Sequence, residues 1–500
     1  MTEPLYDLAI VGGGINGAGI AADAAARGLS VVLLEQNDLG SATSSASSKL
    51  IHGGLRYLEN FDFRLVRESL QEREVLLAKA PHIIWPMRFV LPHVDGMRHP
   101  AMIRAGLFLY DHLARRRLIP ASAGVDLRRD PMGNALKPNF TKGYSYWDCW
   151  ADDARLVVLN ARAAALKGAS IRTRTRVTKI SNGDGHWHIE GRSDTGASTL
   201  TARAVVNAAG PWADTVAQLV TSNERPNLQP RIRLVKGSHI VVPRIEGASD
   251  AFLLQSTDGR VVFALPYEQR FTLIGTTDVP YEADPGAVAI SDQEVGYLLD
   301  LANSFFAKQL KRSDIVSTFS GVRPLFDDGN ANLSAVTRDY RLELAADNGA
   351  PPLLTVLGGK LTTYRKLAEA AVDLLAPYFS AIRRCAPATD PLPGGDVGSG
   401  GIEGYREAAC QKWPDIPPTT LGTLIRRYGT LTGDLLGDAK TSADLGEQLG
   451  GGLSAREALY LRDQEWAKHP DDVLWRRTKA GLHMSATERQ IAQDRLSRLL

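Results

Sequence analysis

The sequence predicts an α/β fold with three parts: a discontinuous domain built on parallel strands, an antiparallel domain inserted into it, and a helical C-terminal domain. A buried strand, a glycine turn, an alanine-rich helix and a second buried strand open the chain over residues 7–35. Short strands that end in glycine turns return at 204–212 and 353–360. Sheet-like alternation lies between these pieces, and helical periodicity continues beyond residue 401.

The glycine turn near the N-terminus has the spacing of a dinucleotide-binding site. Gly12, Gly14 and Gly17 follow the strand over 7–11 as G-x-G-x-x-G, and the helix over 15–27 begins among them. The first glycine permits a tight turn, the second lets the backbone approach a pyrophosphate, and the third lets the helix pack on the strand. The N-terminus of that helix adds N–H groups and a positive dipole for the phosphates.

Glu35 stands at the end of the second strand, where a carboxylate can bond a ribose hydroxyl and would repel a 2′-phosphate. The alternative is a glycine-rich turn with a structural role alone. The strand before the glycines, the helix after them and the acid at this distance favour a Rossmann-like dinucleotide-binding domain.

The composition is that of an ordinary globular protein of two or three domains. The chain has 500 residues, 44% of them hydrophobic and 23% charged, and a net charge of +2, which excludes a global basic field for nucleic acid. Three widely spaced cysteines (Cys149, Cys385 and Cys410) form neither a disulfide framework nor a metal motif, so we expect a reducing compartment and no metal. We also expect neither a signal peptide nor a membrane-spanning helix.

The predicted strands and helices in the rest of the chain indicate how it divides into domains. Antiparallel strands are predicted at 186–192, 231–242, 261–267 and 271–277. Helices are predicted at 363–375 and, after a Pro- and Gly-rich linker, at 404–412, 421–428, 455–465 and 471–482. We predict a dinucleotide-binding domain at 1–80, 150–225 and 330–385, a substrate-binding domain at 81–149 and 226–329, and a helical domain at 386–500. The helical domain is interpreted as a cap or a dimerisation module.

A serine-rich segment follows Glu35 and leads into Gly53, Gly54 and Arg56. Small hydroxyl side chains let the backbone approach a large flat ligand, and the two glycines permit the closest approach. Arg56 then presents a planar fork that suits a phosphate or a carboxylate. A flexible serine-rich loop is the alternative interpretation of this segment.

The sequence around these motifs resembles the FAD-dependent glycerol-3-phosphate dehydrogenases, most closely their aerobic, respiratory members. The resemblance rests on GGGINGAGIAADAAARGLSVVLLE at 12–35 and TSSASSKLIHGGLRYLE at 43–59, and it continues in KGSHIVVP at 236–243, SGVRP at 320–324 and GGKLTTYRKLA at 358–368. It implies oxidation of sn-glycerol 3-phosphate to dihydroxyacetone phosphate by hydride transfer to tightly bound, non-covalent FAD. It also implies that the electrons pass to a membrane quinone.

The resemblance implies cofactor contacts beyond the glycines of the first turn and Glu35. These are expected at Asn16, Thr43, Ser44, Ser45, Ser48, Leu50, His52, Gly53, Gly54, Val177, Ala209, Gly210, Gly359, Lys360, Leu361 and Thr362.

A substrate phosphate is implied to bind a set of cations with one hydroxyl donor. The implied residues are Arg56, Arg323, Arg338 and Lys360, with Tyr57 as the hydroxyl. Because a phosphate near neutral pH carries roughly −1.5 to −2 charge, one cation alone leaves much of it uncompensated. Arg323 and Lys360 lie beside glycine turns, whereas Arg338 could pair with the neighbouring Asp339.

Alcohol oxidation also needs a base for the hydroxyl proton, and histidine is the first candidate. His239 lies on a predicted strand inside one of the shared motifs, and we expect it to be the base and to contact the substrate. His52 directly precedes Gly53 and is expected to pack near the flavin instead. A hydrogen-bonded structural histidine is the alternative for both.

The implied quinone acceptor requires contact with a membrane. An apolar run at 102–110 with arginines at 115–117 predicts a helix that can lie in the interface, although a buried helix with a basic end fits equally well. The segment 475–477 is a second candidate. We expect a homodimer bound as a peripheral or monotopic protein to the cytoplasmic, inner face of the cell membrane.

Three other functions stay open at the level of the sequence. An oxidase of the same fold could pass the electrons to oxygen. An amine or amino-acid oxidase could share the glycine turn and Glu35, but it needs a carboxylate-binding arginine rather than a set of cations. A non-catalytic FAD-binding protein is the third.

Overall fold

The computed structural model describes residues 5–59, 61–94, 98–221, 232–256, 259–327, 339–346, 349–385 and 388–500. Within them the strands, in chain order, are β1 (Leu5–Val11), β2 (Val31–Leu34), β3 (Leu50–Ile51), β4 (Ile84–Pro92), β5 (Ala123–Asp126), β6 (Lys142–Ala151), β7 (Ser170–Arg172), β8 (Thr175–Gly183), β9 (His186–Ser193), β10 (Gly196–Asn207), β11 (Val220–Thr221), β12 (Ile232–Pro243), β13 (Ala251–Gln255), β14 (Val261–Tyr267), β15 (Phe271–Gly275), β16 (Val279–Pro280), β17 (Ser317–Phe326), β18 (Tyr340–Ala345), β19 (Leu353–Gly358), β20 (Gln448–Gly450) and β21 (Leu453–Ser454).

The helices in the same part of the chain are α1 (Ile15–Ala26), α2 (Phe63–Lys79), α3 (Pro100–His112), α4 (Asp153–Ala165), α5 (Ala213–Gln218), α6 (Asp292–Phe305), α7 (Tyr364–Leu375), α8 (Gly401–Lys412), α9 (Pro418–Tyr428), α10 (Thr432–Leu436), α11 (Ala455–Glu465) and α12 (Ala486–Leu499). None of these described helices has both the length and the apolar character needed to cross a bilayer.

The first sheet carries the dinucleotide-binding turn. Its parallel strands lie side by side in the order β7–β2–β1–β10–β19, and β18 adds an antiparallel edge. Helices α1, α4 and α7 pack together on one face of this sheet, where the alanines of α1 permit close approach. The pieces at 204–207 and 353–357 therefore join the N-terminal unit in one sheet, and the predicted α/β fold with a discontinuous nucleotide-binding domain is confirmed.

The hairpin of β8 and β9 also belongs to the first sheet. Strand β9 is antiparallel to the N-terminal half of β10, whereas the C-terminal half of β10 pairs with β19. The antiparallel pattern predicted at 186–192 thus does not extend the second domain. The β8–β9 hairpin packs on the face of the first sheet that is opposite to α1, α4 and α7, and Trp187 is buried in the core there.

The second sheet is predominantly antiparallel and has the order β16–β12–β15–β14–β13–β4–β6–β3, with β17 beside β12 and β5 beside β6. Helix α6 packs on one face of it, and α2 and α3 contribute to the core on the other. Strand β3 pairs with β6 of this sheet, although it lies inside the 1–80 segment predicted for the dinucleotide-binding domain.

Helices α8–α12 (residues 401–499) form a C-terminal domain with its own hydrophobic core. The helix predicted at 471–482 is instead two short helical turns, Asp472–Arg477 and Ala480–His483, separated at Lys479, whose φ is 56°. Lys479 there makes a buried ion pair with Asp152. Within the candidate membrane segment at 475–477, Arg477 is fully buried and its guanidinium binds Asp38, so this residue is not exposed for contact with a membrane.

Candidate active site

A cavity of about 960 Å³ lies between the two sheets. At one end it meets the carboxyl ends of β1 and β2, where parallel α/β sheets bind their ligands. At the other end the second sheet contributes an apolar wall that includes Phe89, Leu253 and Phe263. One cavity therefore combines a nucleotide-type end with a wall that suits a flat aromatic ring.

The glycine turn has no room for side chains at two of its positions. Gly12 has a φ of +113°, and a Cβ there would lie 2.5 Å from the carbonyl oxygen of Ala208. A Cβ on Gly17 would lie 1.9 Å from the carbonyl oxygen of Gly12. The N-terminus of α1 consequently rests directly on the turn, and its positive dipole end lies at the cavity edge.

Glu35 is held at the cavity by two backbone amides. Its Oε2 accepts a hydrogen bond from the Gly13 N–H at 2.6 Å, and its Oε1 accepts one from the Asn37 N–H at 2.7 Å. Burial raises the pKa of this carboxyl, while the two amides oppose that rise. The side chain lines the cavity at the carboxyl end of β2, which is the place for a ribose contact.

Hydrogen bonds join the serine-rich loop and the turn at Gly358 to the glycine turn near the N-terminus. Ser44 Oγ accepts from the Ile15 N–H at 3.0 Å, and Asn16 Nδ2 donates to the Gly358 carbonyl at 3.2 Å. The His52 N–H donates to Thr362 Oγ1 at 3.2 Å. Three segments that are far apart in the sequence therefore share one end of the cavity.

A buried polar cluster supports the turn at Gly53. The Gly53 N–H donates to Tyr110 Oη at 2.8 Å, and Tyr110 Oη donates to Asp148 at 2.8 Å. Arg73 Nη1 donates to the same carboxylate at 2.7 Å. Because these side chains are buried and hydrogen-bonded in series, they fix the turn that precedes Arg56.

Three of the predicted phosphate-binding cations line this cavity: Arg56, Arg323 and Lys360. Arg323 Nη2 donates to Thr276 Oγ1 at 3.0 Å, and Nη1 forms an ion pair with Asp278. Lys360 Nζ lies 4.0 Å from the centroid of the Tyr57 ring.

His239 lies in a second layer behind the cavity wall. It is 1% exposed, and its Nε2 is 3.1 Å from the hydroxyl of Ser48, which does line the cavity. Its ring stacks on Phe319 with the centroids 4.7 Å apart. Burial, together with the positive charges of Arg323 and Lys49, holds the pKa of His239 well below its usual value, so the ring is neutral at neutral pH.

The structure brings most of the predicted site residues to one cavity. Those that line it are Gly12, Gly14, Asn16, Glu35, Thr43, Ser44, Ser48, Leu50, His52, Gly54, Arg56, Tyr57, Val177, Ala209, Gly210, Arg323, Gly359, Lys360, Leu361 and Thr362.

Four predicted residues are placed elsewhere. Gly17 and Gly53 support their turns from behind, and His239 is covered by Ser48. Ser45 lines a neighbouring polar cavity, where its carbonyl accepts a hydrogen bond from Lys49 Nζ. Arg338 lies outside the described residues.

Sequence reasoning missed several residues of the site. Asp278, which orients Arg323, follows the strand predicted at 271–277, but a lone acid there indicates no role. Arg174 lines the cavity from a loop without a recognisable motif. Trp212 lines it from the end of the predicted strand-and-turn segment at 204–212, which by itself indicates no role for the tryptophan. The aromatic wall could have been suspected from the alternation of β4 and β14, although that pattern is equally typical of core strands.

The glycine turn, the N-terminus of α1 and Glu35 together fit the ADP half of a dinucleotide such as FAD. The glycine turn leaves space for a pyrophosphate, α1 directs its N-terminus at that space, and Glu35 is placed for a ribose hydroxyl. The hydroxyl-rich loop and the apolar wall continue the cavity beyond them.

Comparisons with known proteins agree with this fit. A family model described as FAD dependent oxidoreductase matches residues 7–365, and one described as the C-terminal domain of alpha-glycerophosphate oxidase matches residues 385–496. A glycerol-3-phosphate dehydrogenase of Pseudomonas aeruginosa is 53% identical over 485 residues, covering 97% of this chain and 93% of the relative. A D-erythritol 1-phosphate dehydrogenase of Brucella abortus is 49% identical over 493 residues, covering 98% and 97%.

The similarity extends to a solved structure. The glycerol-3-phosphate dehydrogenase of Bacillus halodurans, determined in complex with FAD, is similar with a TM-score of 0.75 and 27% identity, covering 100% of this chain and 95% of that chain. FAD is thus the cofactor that the cavity fits, and the chain belongs to the family of FAD-dependent glycerol-3-phosphate dehydrogenases.

Proposed function

We propose that this protein oxidises sn-glycerol 3-phosphate to dihydroxyacetone phosphate. The observation that carries the proposal is the presence of Arg56, Arg323 and Lys360 in the same cavity as the cofactor-binding turn. A phosphate dianion needs more than one cation, and a site for an amino acid needs no such set. The relatives named for glycerol 3-phosphate support the same substrate.

The cations divide the work of holding the phosphate. Arg323 is oriented by Asp278 and Thr276, so its guanidinium keeps one direction toward the cavity. A planar guanidinium suits bidentate contact with phosphate, whereas Lys360 supplies a point charge. Tyr57 lies under the ammonium of Lys360, and its hydroxyl can serve as a further donor.

The proton of the substrate hydroxyl has a route to His239. FAD, when bound, supplies the hydride acceptor. The neutral imidazole can accept a proton, and the Ser48 hydroxyl stands between it and the cavity at 3.1 Å from Nε2. In this proposal Ser48 passes its own proton to His239 as it takes the proton of the substrate.

Anaerobic titration of the yellow holoenzyme tests the function directly. Glycerol 3-phosphate should bleach the flavin absorbance with one equivalent per FAD, and dihydroxyacetone phosphate should be recovered. Glycerol without phosphate is the matched control and should bleach it far more slowly, because it cannot engage the cations. Equal rates of bleaching by both compounds would contradict the proposal that the cations bind the phosphate of the substrate.

A four-carbon substrate is a second candidate, because the Brucella relative is named for D-erythritol 1-phosphate. The cations bind a group that both substrates share, so discrimination depends on the length of the polyol. The ratio of kcat/KM for the two phosphates, measured with a soluble dye as acceptor, decides between them.

Oxygen is a second candidate for the electron acceptor, because the matching C-terminal family model is named for an oxidase. We propose a membrane quinone instead. Hydrogen peroxide released in proportion to turnover in air would favour oxygen. Anaerobic turnover with a quinone analogue and little peroxide would support the quinone.

Membrane contact at the cytoplasmic face is part of this proposal. The outer face of α3 exposes Met102 and Phe108 at 54% and 64%, and Leu118 nearby is 56% exposed. The exposed Arg115 and Arg117 lie next to Leu118 in the chain. Apolar side chains beside arginines are typical of a helix that lies in a lipid interface.

The homodimer stays a prediction. It rests on the family resemblance and on the interpretation of the helical domain as a dimerisation module. Sedimentation equilibrium of the detergent-solubilised holoenzyme measures it, and a mass of one chain would contradict it.

A further inference from the structure

The loop that carries Glu35 lines the cavity with some of its residues and binds the C-terminal domain through Asp38. We name residues 35–41 the acidic loop; it leads from β2 to the serine-rich segment, and Glu35, Asn37 and Gly40 line the cavity. The Gly40 N–H donates to the Gly13 carbonyl at 2.9 Å, so the loop and the glycine turn form one unit. Any group that fixes the acidic loop therefore also fixes the adenosine end of the cofactor site.

Asp38, in the middle of the acidic loop, makes this attachment. Its carboxylate is fully buried and binds Arg477, whose Nη2 donates to Oδ1 at 2.8 Å and whose Nη1 binds Oδ2. Arg476 Nε donates to the same carboxylate at 2.6 Å. Arg477 is also fully buried and donates to the Glu465 carbonyl at 2.8 Å, which ties it to the end of α11.

Asp472 makes a parallel attachment to the turn between β7 and β8. Arg174 Nη2 donates to the two oxygens of this carboxylate at 2.8 and 2.9 Å. The Arg174 N–H donates to the Asn37 carbonyl of the acidic loop at 2.9 Å, and Arg174 lines the cavity. Arg476 also pairs with Asp472, so the two attachments share one guanidinium.

Buried ion pairs of this kind specify position more than they add stability. Removing charges from water is costly, and the attraction within the pair only roughly offsets that cost. Losing one partner, however, leaves an uncompensated buried charge, which is strongly unfavourable. Asp38 can therefore keep its buried place only while the arginines of the C-terminal domain face it.

We propose that the C-terminal domain positions the acidic loop for FAD binding, with Arg476, Arg477 and Asp472 as the positioning residues. The domain thus contributes to cofactor affinity without contacting the cofactor. This role needs only the assignment of FAD and is independent of the substrate and the electron acceptor.

The variant Arg477→Met in the full-length protein tests the proposal. Its apoprotein, titrated with FAD and followed by the quenching of flavin fluorescence, should show a dissociation constant raised roughly five- to 150-fold, the usual range for coupling between separate sites. Arg477→Lys, which keeps the charge but not the bidentate fork, should recover part of the affinity.

Arg155→Met is the matched control. Arg155 in α4 is also fully buried and also binds the C-terminal domain, through the carboxylate of Glu465 at 2.9 Å from Nη2. It shares Glu465 with Arg477, which bonds only the backbone carbonyl of that residue, and the partners described for Arg155 lie outside the acidic loop. With a comparable loss of thermal stability, its FAD dissociation constant should stay within about twofold. Equal weakening in both variants, or unchanged affinity in Arg477→Met, would overturn the proposal.

A second variant, at the less buried Arg476, tests the proposal even if Arg477→Met does not fold. Arg476 is 18% exposed at its side chain and binds both Asp38 and Asp472. Arg476→Met should raise the FAD dissociation constant while the KM for glycerol 3-phosphate, measured with saturating FAD, stays unchanged. A raised KM with normal FAD affinity would contradict a role confined to the cofactor site.

Discussion

In the proposed mechanism, the neutral imidazole of His239 serves proton transfer, and the cations Arg323 and Lys360 serve phosphate binding. His239 is buried behind Ser48, whereas the two cations line the cavity itself. A buried neutral ring can accept a proton, and a guanidinium or ammonium cannot. Each of these residues should consequently affect a different kinetic constant.

Removing the proton route should slow the step in which the substrate is oxidised. His239→Ala and Ser48→Ala should each slow flavin reduction by about 10²–10⁴, the usual contribution of a general base. Anaerobic stopped-flow measurement isolates that step, and Ser48→Thr, which keeps the hydroxyl, is the control. Rates within a few-fold of the wild type would leave both residues structural.

The pH dependence of the same step follows from the lowered pKa of His239. The base must be unprotonated, and a lowered pKa means that it takes up a proton only well below its usual value near 6.5. The rate of flavin reduction should therefore show no loss from His239 as the pH falls from about 8 to 6.5. An inflection in this window that disappears in the His239→Ala variant would contradict the neutral, buried ring.

Truncating the phosphate cations should weaken substrate binding while FAD stays bound. Arg323→Ala and Lys360→Ala each remove a charge-assisted hydrogen bond of about 1.5–3 kcal/mol, which corresponds to a rise in KM of roughly ten- to a hundredfold. Arg312→Ala, in an exposed ion pair just before β17, is the control and should behave as wild type. Normal KM values in both test variants would exclude them from phosphate binding.

At the scale of elements, α3 connects the surface of the protein with the active-site turn. Met102 and Phe108 lie on its outer face, while Tyr110 on its inner face binds the N–H of Gly53. Helix α3 thus has an exposed apolar face and a buried hydroxyl that is hydrogen-bonded to the active-site turn. We therefore choose α3 to test the membrane contact proposed above.

The exposed face of α3 should be required for membrane binding. The double variant Met102→Ser/Phe108→Ser should float less with anionic vesicles than the wild type, because apolar burial anchors such a helix. Leu166→Ser is the control, since Leu166 is 68% exposed at the end of α4. Equal flotation of all three proteins would place the contact elsewhere.

At the scale of the whole molecule, the cofactor cavity is shared by two sheets. The first sheet contributes the glycine turn and Glu35, and the second contributes Phe89 and Phe263. A ligand that fills such a cavity binds the folded state and not the unfolded chain. FAD should thus stabilise both sheets together.

FAD should raise the stability of the protein by mass action. At a free concentration of 100 times its dissociation constant, the expected gain in the free energy of unfolding is about 2.7 kcal/mol. Calorimetry of the FAD-depleted protein with increasing FAD measures it, and riboflavin, which lacks the ADP half, is the control. A melting temperature that does not depend on the FAD concentration would contradict the prediction.

The sequence alone determined the features that depend on local spacing. Gly12, Gly17 and Glu35 lie within 24 residues of one another, and steric limits on a turn between a strand and a helix prescribe where glycine and the acid must stand. The parallel strands at 204–207 and 353–357 were predictable for the same reason. The phosphate cations came from the resemblance of motifs and not from their spacing.

Tertiary structure decided which distant side chains face one another. Ser48 and His239 are 191 residues apart, and Asp38 and Arg477 are 439 residues apart, yet each pair forms a direct contact. No local pattern marks such partners, because packing between separate elements selects them from many residues of the same type. The fold therefore decided that His239 is shielded, that Arg477 is buried rather than exposed to a membrane, and that the C-terminal domain holds the loop of Glu35.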